Sequence, residues 1–356
     1  MAPVVEAFQK HHPSIKLHTV STGQHEALLK DGLVGFNLEI NRNLGISNSK
    51  NDLRLYFSEL ISSLSSEIDR FRPDLVLVHG DTSSASAASI AAHLSRVSVG
   101  HVEAGLRSYR LDSPWPEEAN RRIIDSISTL LFCPTEYAKE QVIPDLNSQI
   151  FVTGNTVIDA LKITLERLNT DEDQIAKLRT KYSYLGSEFI LVTQHRRESF
   201  GEKHTEILKA LDELATKENP IIFPIHPNPS IRAAALENLK NENVHLVEPI
   251  PYPEFIYLMS KARLAISDSG GIQEEAPSLG LPLLITRELT ERPEALLEKT
   301  NEIIGHDREE ILNRAREILV KSRLNTQGAF REGVFGDGHS GEKIAEICVR
   351  FLIEVH

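Results

Sequence analysis

The sequence predicts an α/β protein made of two Rossmann-like domains, and three observations carry this prediction. Short apolar runs such as DLVLV (74–78) and FILVT (189–193) alternate with helical stretches along the whole chain. Continuous apolar runs are typical of parallel strands buried on both faces, and repeated β-α units build such sheets with right-handed crossovers. A polar helical stretch at 168–183 contains no strand and separates two series of these units. The chain of 356 residues is long enough for about two domains.

The first series begins with a predicted strand and a long amphipathic helix. The five predicted strands lie at 16–21, 74–79, 97–101, 130–133 and 149–153. Within 51–71 the apolar residues recur at spacings of three and four and form one stripe, which predicts a helix. Asn51 or Asp52 could cap its start, and Thr82 or Ser83 could cap the helix that follows the second strand.

The second series supplies six more predicted strands before a last helix. They lie at 188–194, 220–225, 243–247, 263–267, 281–286 and 302–304. The stretch 341–355 is amphipathic and could pack on either half as a helix. We therefore predict an N-terminal domain at 1–167, a C-terminal domain at 168–338, and a C-terminal helix at 339–356 that packs back on the N-terminal domain.

Composition and charge exclude several classes of protein. Acidic residues outnumber basic ones by 51 to 39, giving a net charge of −12, whereas nucleic-acid binding requires a basic face. No apolar run approaches the roughly 18 residues of a membrane helix, and the first residues do not resemble a secretory signal. Cys133 and Cys348 are the only cysteines, which excludes a disulfide framework and a four-thiolate zinc site. These features predict a cytoplasmic protein without nucleic-acid partners or membrane insertion.

Chemically active side chains follow two strands of the first half. Asp81 follows the strand at 74–79 after one glycine, and the simplest interpretation is that it caps the next helix. His101, Glu103 and Arg107 follow the next strand. A surface salt bridge between Glu103 and Arg107 is the alternative here, but ligands of this fold bind beyond the carboxyl ends of the strands, which favours a functional role.

The segment SPWPEEANR (113–121) combines a proline-rich loop with the start of a helix. Pro116 suits the first helical position, and Glu117 and Glu118 would then lie in the first turn, where the helix dipole favours carboxylates. This explanation accounts for both glutamates, but it does not explain why Trp115 lies between two prolines.

The strand ends of the second half carry groups that suit phosphates. His195 and two arginines follow the strand at 188–194, and arginine presents a fork of donors to a diphosphate. His226 follows the next strand. After the strand at 263–267, a serine and two glycines (269–271) open a helix whose N–H groups could hold a phosphate, and Glu275 one turn later could reach ribose hydroxyls.

Common cofactor and nucleophile motifs are absent from the sequence. It has no P-loop, no Gly-x-Gly-x-x-Gly after a first strand, no His-Glu-x-x-His and no serine nucleophile elbow. Its His, Asp and Glu residues do not follow metal-ligand spacing, so we predict no metal and no nicotinamide cofactor. Carboxylates in the first half and phosphate-binding groups in the second suit a nucleotide sugar bound in a cleft between them.

Nine ordered motifs resemble the UDP-N-acetylglucosamine 2-epimerase family of the non-hydrolysing bacterial type. They are HGDT (79–82), HVEAGLRS (101–108), SPWPEEANR (113–121), PTE (134–136), VTGNTVIDAL (152–161), HRRESFG (195–201), HPNP (226–229), DSGGIQEEAPSLGLP (268–282) and TERPEAL (290–296). The resemblance implies two Rossmann-like domains facing across a cleft, as in GT-B glycosyltransferases, and a homodimer. It implies interconversion of UDP-GlcNAc and UDP-ManNAc for cell-surface polysaccharide synthesis, by elimination of UDP to a 2-acetamidoglucal and re-addition, without metal or redox cofactor.

The resemblance also implies roles for individual residues. The expected catalytic residues are Asp81, Glu103, Glu117 and His195. The expected substrate-binding residues are Arg107, Arg196, Phe255 near the uracil, Ser269, Gly270, Gly271, Glu275 and Arg292. A second, activating UDP-GlcNAc site would include Gln24, His25 and His226.

The sequence departs from the family pattern at three places. The family begins with a strand, a Gly-Thr-Arg-Pro-Glu loop and a lysine, and we expect this chain to lack them because it starts Met1-Ala2-Pro3. Ile250 stands where the family often has Gln, and Glu26 stands where an Arg usually follows the Gln-His pair. Two alternatives therefore stay open: a hydrolysing relative that releases ManNAc and UDP, and an inactive sugar-nucleotide binder.

Overall fold

The computed structural model describes residues 1–23, 33–36, 38–47, 52–194, 201–225, 229–297, 299–321 and 328–355. The chain divides into two compact units. Unit 1 comprises Met1–Ala160 and Phe335–His356, and unit 2 comprises Leu161–Val334.

Unit 1 is built from α-helices and short parallel strands. Its described elements are α1 (Ala2–His11), β1 (Val20–Ser21), β2 (Arg42–Asn43), α2 (Leu53–Phe71), β3 (Leu75–His79), α3 (Ser83–Leu94), β4 (Ser98–Val102), α4 (Glu117–Ile127), β5 (Leu130–Cys133), α5 (Glu136–Gln141), β6 (Gln149–Val152), the first residues of α6 (Thr156–Thr170) and α13 (Ser340–Val355).

The main sheet of unit 1 has the order β3-β4-β5-β6, and every neighbouring pair is parallel. The register pairs His79 with Val102 and Val102 with Phe132, so the carboxyl ends of β3, β4 and β5 lie at one edge. This edge carries the segments that begin at residues 80 and 103. The four predicted strands from 74 to 153 are thereby confirmed to within a residue or so at each end.

The predicted strand at 16–21 is wrong for most of its length. Only Val20–Ser21 is a strand, and it pairs with Arg42–Asn43, which we did not predict. The reason is that the Thr19 N–H donates to the Asn41 side chain (2.8 Å), and the Asn41 N–H donates to the Thr19 hydroxyl (3.1 Å). These side-chain bonds replace the ladder bond of the Thr19 N–H, while the Thr19 carbonyl still accepts from the Arg42 N–H at 3.1 Å.

Helix starts in unit 1 follow the predicted capping chemistry. Asp52 caps α2 by accepting from the backbone N–H groups of Arg54 and Leu55. Thr82 caps α3 by accepting from the Ala85 N–H at 3.1 Å. Each cap satisfies an N–H group that the first helical turn leaves without a partner.

Unit 2 continues the α/β alternation. Its described elements are the rest of α6, α7 (Glu172–Lys181), a 3₁₀ turn (Ser183–Leu185), β7 (Ile190–Thr193), α8 (Glu202–Leu214), β8 (Ile221–Pro224), α9 (Pro229–Asn238), β9 (Val244–Val247), α10 (Tyr252–Lys261), β10 (Leu264–Ser267), α11 (Gly270–Ser278), β11 (Leu283–Ile285), a second 3₁₀ turn (Pro293–Leu296), β12 (Asn301–Ile303) and α12 (Arg308–Val320). All six strands overlap their predicted positions.

The sheet of unit 2 has the order β12-β11-β10-β7-β8-β9 and is parallel throughout. The chain runs outward from β7 through β8 to β9 and then returns to β10 on the other side. The order therefore reverses between β7 and β10, and in open α/β sheets ligands bind at such a switch point, beyond the carboxyl ends of the strands. Thr193 and Ser267 end these two strands side by side.

The C-terminal helix α13 packs against α1 in unit 1. Val4 and Phe8 of α1 share a buried cluster with Ile344, Cys348 and Phe351 of α13. Asp159 fixes the start of α13 by accepting from the Gly341 N–H at 2.6 Å.

The units divide at 160/161 and 334/335, whereas the sequence placed the boundaries at 167/168 and 338/339. The first difference arises because Leu161, Leu165 and Leu168 of α6 pack into the core of unit 2. In the described part of the chain, no helix combines the length and the apolar character that crossing a membrane requires.

Candidate active-site residues

Asp81 lies at the end of β3 and is held by two residues of α4. Its carboxylate accepts from the Arg121 guanidinium, at 2.9 Å from Nε and 2.6 Å from Nη2. Its backbone carbonyl accepts from the Asn120 side chain at 2.8 Å. Because Thr82 caps α3, the interpretation of Asp81 as a helix cap is wrong.

Glu103 follows β4 with a left-handed backbone (φ 70°), which a non-glycine residue rarely adopts. Its Oε1 accepts from the Asn155 side chain at 3.2 Å. A methyl group on Gly80 would lie 3.0 Å from its Oε2, so the carboxylate rests against Gly80. The structure thus brings Glu103 next to the residue that precedes Asp81.

Arg107 contacts Asp125 of α4 rather than Glu103. Its guanidinium forms an ion pair with the Asp125 carboxylate and donates to the Leu106 carbonyl at 2.8 Å. The second Asp125 oxygen accepts from Nδ1 of His101 at 2.6 Å. Burial would raise the pKa of Asp125, but the opposing effects of His101 and Arg107 lower it. The salt bridge between Glu103 and Arg107 that we considered is therefore replaced by a buried pair.

Glu117 and Glu118 are neighbours at the start of α4 with different surroundings. Pro116 is the N-cap residue, one position before the first helical residue that we predicted for it. Glu118 is fully buried and accepts from the Ser108 N–H (2.8 Å) and from Arg122 (3.0 Å). Burial would raise the pKa of Glu118, yet these bonds and the nearby arginines lower it. In contrast, Oε2 of Glu117 is buried without a hydrogen-bond partner among the described residues.

Arg121 connects these carboxylates. One edge of its guanidinium binds Asp81, and its Nη1 lies 3.4 Å from the Glu118 carboxylate. Unit 1 therefore places Asp81, Glu103 and the helix start that bears Glu117 at the same edge of its sheet. Trp115, in the preceding loop, is exposed.

In unit 2, the switch point is followed by the start of α11. The hydroxyls of Thr193 and Ser267 share a hydrogen bond of 2.7 Å, and Oγ of Ser267 also accepts from the Ser269 N–H at 2.9 Å. Ser269 is the N-cap residue of α11, and its hydroxyl makes no capping bond. Gly270 and Gly271 form the first turn. A helix start of this kind favours a phosphate because its N–H groups and its dipole attract negative charge.

Arg292 packs against this helix start. It forms ion pairs with Glu274 and with Glu291, the latter at 2.9 Å from Nη1. A methyl group on Gly270 would lie 2.7 Å from Arg292 Nη1, so the close approach of the guanidinium requires glycine at position 270.

Glu275, which is buried, pairs one turn further along with the half-buried Tyr252. The Tyr252 hydroxyl donates to Glu275 Oε1 at 2.7 Å. Burial raises the pKa of Glu275 to about 7, although the hydrogen bond from Tyr252 opposes this shift. Phe255, on α10, is half-buried and packs on the main core of unit 2.

Five residues with predicted roles lie outside the described residues: Gln24, His25, His195, Arg196 and His226. Within the described ranges, no group of His, Cys, Asp and Glu side chains could hold a metal ion.

Five residues that contact the candidate active-site residues had no role predicted from the sequence. They are Asn120, Arg121, Asp125, Asn155 and Tyr252. Asn120, Arg121 and Asn155 lie inside motifs that resemble the family, and this position was the sequence signal that could have identified them. Asp125 and Tyr252 stood outside every motif, so nothing in the sequence pointed to them.

Comparisons with known proteins identify the family of this chain. The model of the UDP-N-acetylglucosamine 2-epimerase family matches residues 7–349. The UDP-N-acetylglucosamine 2-epimerase of Salmonella typhimurium strain LT2 is 41% identical over 364 residues, covering 100% of this chain and 96% of the relative.

Solved structures of related enzymes have the same fold. The UDP-GlcNAc 2-epimerase of Neisseria meningitidis bound to UDP-GlcNAc superposes with a TM-score of 0.90 at 39% identity, covering 98% of this chain and 96% of that one. The enzyme of Methanocaldococcus jannaschii in complex with UDP-GlcNAc and UDP gives 0.83 at 31% identity, with 98% and 95% covered. The predicted α/β class with two Rossmann-like domains of GT-B type is thereby confirmed. On its residues, its fold and these matches, the chain belongs to the UDP-N-acetylglucosamine 2-epimerase family.

Proposed function

We propose that the protein interconverts UDP-GlcNAc and UDP-ManNAc without hydrolysing them. The observation that carries this proposal is the set of carboxylates at one edge of the unit 1 sheet, Asp81, Glu103 and Glu117, in a chain that matches the epimerase family over residues 7–349.

The chemistry needs groups that move a proton at C2 of the sugar. A base removes the C2 proton while the bond between C1 and the UDP oxygen breaks, giving UDP and 2-acetamidoglucal. UDP then adds back to C1 as a proton is delivered to the opposite face of C2. Glu117 suits one of these transfers because its buried Oε2 has no hydrogen-bond partner among the described residues and can exchange a proton with a ligand. Glu103 and Asp81 are the candidates for the other, and each is oriented by an amide or guanidinium donor.

Unit 2 suits the nucleotide. The Ser269 hydroxyl and the N–H groups of Gly270 and Gly271 would hold the diphosphate, and Glu275 would accept from ribose hydroxyls. The Arg292 guanidinium, which is paired with Glu274 and Glu291, lies beside this helix start. Stabilising the UDP leaving group by such preorganised donors lowers the barrier to elimination.

A proton NMR experiment in D2O tests the proposal. UDP-GlcNAc incubated with the protein should give UDP-ManNAc, and deuterium should enter C2 of both sugars. Free ManNAc with UDP, and no UDP-ManNAc, would establish the hydrolysing alternative. Unlabelled UDP-GlcNAc recovered together with UDP binding would establish the inactive binder.

We also propose a cytoplasmic homodimer whose product supplies cell-surface polysaccharide synthesis. Light scattering after gel filtration should then give a mass near twice 39.8 kDa, whereas a mass of one chain would contradict the dimer.

A further inference from the structure

His101 is buried in unit 1 and lies between two oxygens. It is fully inaccessible to solvent at the carboxyl end of β4. Its Nδ1 donates to the Asp125 carboxylate at 2.6 Å, and its Nε2 donates to the Gly80 carbonyl at 2.9 Å. The Gly80 carbonyl oxygen can only accept, so Nε2 is the donor of that bond. The ion pair between Asp125 and Arg107 fixes the other side of the carboxylate.

The backbone N–H and carbonyl of Gly80 belong to two successive peptide groups, and both are held by β4. Its N–H donates to the Val102 carbonyl at 2.9 Å, and its carbonyl accepts from His101. Gly80 has a left-handed backbone (φ 65°), so this turn has a conformation that glycine adopts readily and that other residues avoid. The bond from His101 thus fixes the peptide group between Gly80 and Asp81, called the Gly80 peptide here.

Two candidate acid/base groups depend on this peptide. Asp81 is the next residue, so its position follows from the Gly80 carbonyl. The Glu103 carboxylate rests against Gly80, where a methyl group would come within 3.0 Å of Oε2. A rotated Gly80 peptide would displace both carboxylates together.

We propose that His101 is a positioning residue that sets the Gly80 peptide, and through it the carboxylates of Asp81 and Glu103, with Asp125 as its anchor. The proposal rests on the proposed function, because it assigns a purpose to a group that does not itself contact the reacting sugar. It differs from a role in stability alone, since only the bond from Nε2 to Gly80 reaches the candidate site.

Two substitutions distinguish the hydrogen bonds that the two ring nitrogens of His101 make. In His101→Gln the side-chain amide nitrogen can take the place of Nε2 and donate to Gly80. In His101→Asn the amide nitrogen can take the place of Nδ1 and donate to Asp125, which leaves the Gly80 carbonyl without its donor. We expect His101→Asn to lower kcat by about 100-fold, the effect of misplacing a reacting group by roughly 1 Å, and His101→Gln to lower it by less than about 10-fold. The KM for UDP-GlcNAc and the Kd for UDP should stay unchanged in both.

Hydrogen exchange supplies a readout that needs no turnover. The Gly80 amide is bonded to the Val102 carbonyl, so its exchange reports how often this turn opens. It should exchange faster in His101→Asn than in His101→Gln or the unaltered protein. This difference can be measured even if the unaltered protein does not epimerise UDP-GlcNAc, which would defeat the proposed function alone. Equal exchange and equal kcat in the two variants of an active enzyme would defeat only the positioning role.

Asp125→Asn gives a second test in case His101→Asn does not fold. The imidazole stays, but it loses the carboxylate that orients it, so kcat should fall. Wild-type kcat in a folded Asp125→Asn protein would overturn the proposal. The exposed His93 on α3 serves as control, because His93→Asn and His93→Gln should match the unaltered protein in kcat and in Gly80 exchange.

Discussion

Glu117 and Glu118 are adjacent in sequence, yet the structure gives them opposite surroundings. Glu118 accepts hydrogen bonds from Ser108 and Arg122 in a fully buried position. Glu117 keeps a buried oxygen without a hydrogen-bond partner among the described residues. Sequence patterns gave both the same explanation, a carboxylate at a helix start, because the dipole acts on both alike. Their surroundings differ because Ser108 donates to Glu118. Ser108 lies ten residues away on a loop, where no helix or strand periodicity predicts this contact.

We therefore expect substitution of the two glutamates to have different effects. Glu117→Gln should lower kcat by about 100- to 10,000-fold, the usual contribution of a general acid or base, while Tm stays unchanged. Glu118→Gln should lower the free energy of unfolding by about 1–3 kcal/mol, because buried donors lose a charged acceptor. Kinetics and thermal unfolding of both variants check this. A Glu117→Gln protein with normal kcat would remove Glu117 from the mechanism.

Glu275 predicts a pH dependence of stability. Its pKa in the folded protein is about 7, against 4.5 for an ordinary glutamate, so the folded protein binds the proton more tightly. The resulting stabilisation is complete below pH 4.5 and is lost as the pH rises to about 7. Relative to Glu275→Gln, the unaltered protein should lose about 1–3 kcal/mol of unfolding free energy between pH 4.5 and about pH 8.

Urea unfolding at several pH values measures this difference. Glu237→Gln, at an exposed position of α9, is the control and should follow the unaltered protein at every pH. Parallel curves for Glu275→Gln and the unaltered protein would show that Glu275 titrates normally.

At the scale of helices and strands, the sequence predicted what continuous local patterns determine. The strands from β3 to β12 coincide with apolar runs because both faces of a parallel strand are buried. The pairing of β1 with β2 escaped prediction because two-residue strands have no pattern. The pair of Arg107 with Asp125 also escaped, since it joins a loop to a helix 18 residues further along.

The packing of α13 on α1 depends on one glycine. A methyl group on Gly341 would lie 2.8 Å from the Pro3 carbonyl oxygen, and backbone cannot yield as a flexible side chain can. We expect Gly341→Ala to lower the free energy of unfolding of unit 1 by about 1–3 kcal/mol, although alanine is the better helix former. Glu346→Ala, at an exposed position of the same helix, should change it little. Equal Tm values for the two variants would mean that α1 and α13 can move apart to admit the methyl group without a loss of stability.

At the scale of the whole molecule, the candidate groups are divided between two units with separate cores. The carboxylates that would move protons lie in unit 1, and the candidate diphosphate and ribose groups lie in unit 2. The length and the net charge of the chain could not report this division, because the charges that bind an anion are local.

UDP alone should therefore stabilise unit 2 against unfolding. At 100 times its Kd, UDP should stabilise the state that binds it by about 2.7 kcal/mol, and hydrogen exchange should slow at 264–278. Asp81→Asn should show the same protection while losing turnover. Loss of UDP binding in Asp81→Asn would mean that the roles of the two units are reversed.

Unit 1 contains both the first 160 residues and the segment that begins at Phe335, so unit 2 is an insertion within it. During synthesis on the ribosome, the chain of unit 2 is complete while unit 1 still lacks α13. Domains made from one continuous segment usually fold in the order in which they emerge, but here the later unit can finish first. Ile344 and Cys348 of α13 cover an apolar face of α1. Until they are synthesised, this face lacks the helix that buries it. A nascent chain interrupted near residue 334 would thus present all of unit 2, with its proposed nucleotide site, beside an incomplete unit 1.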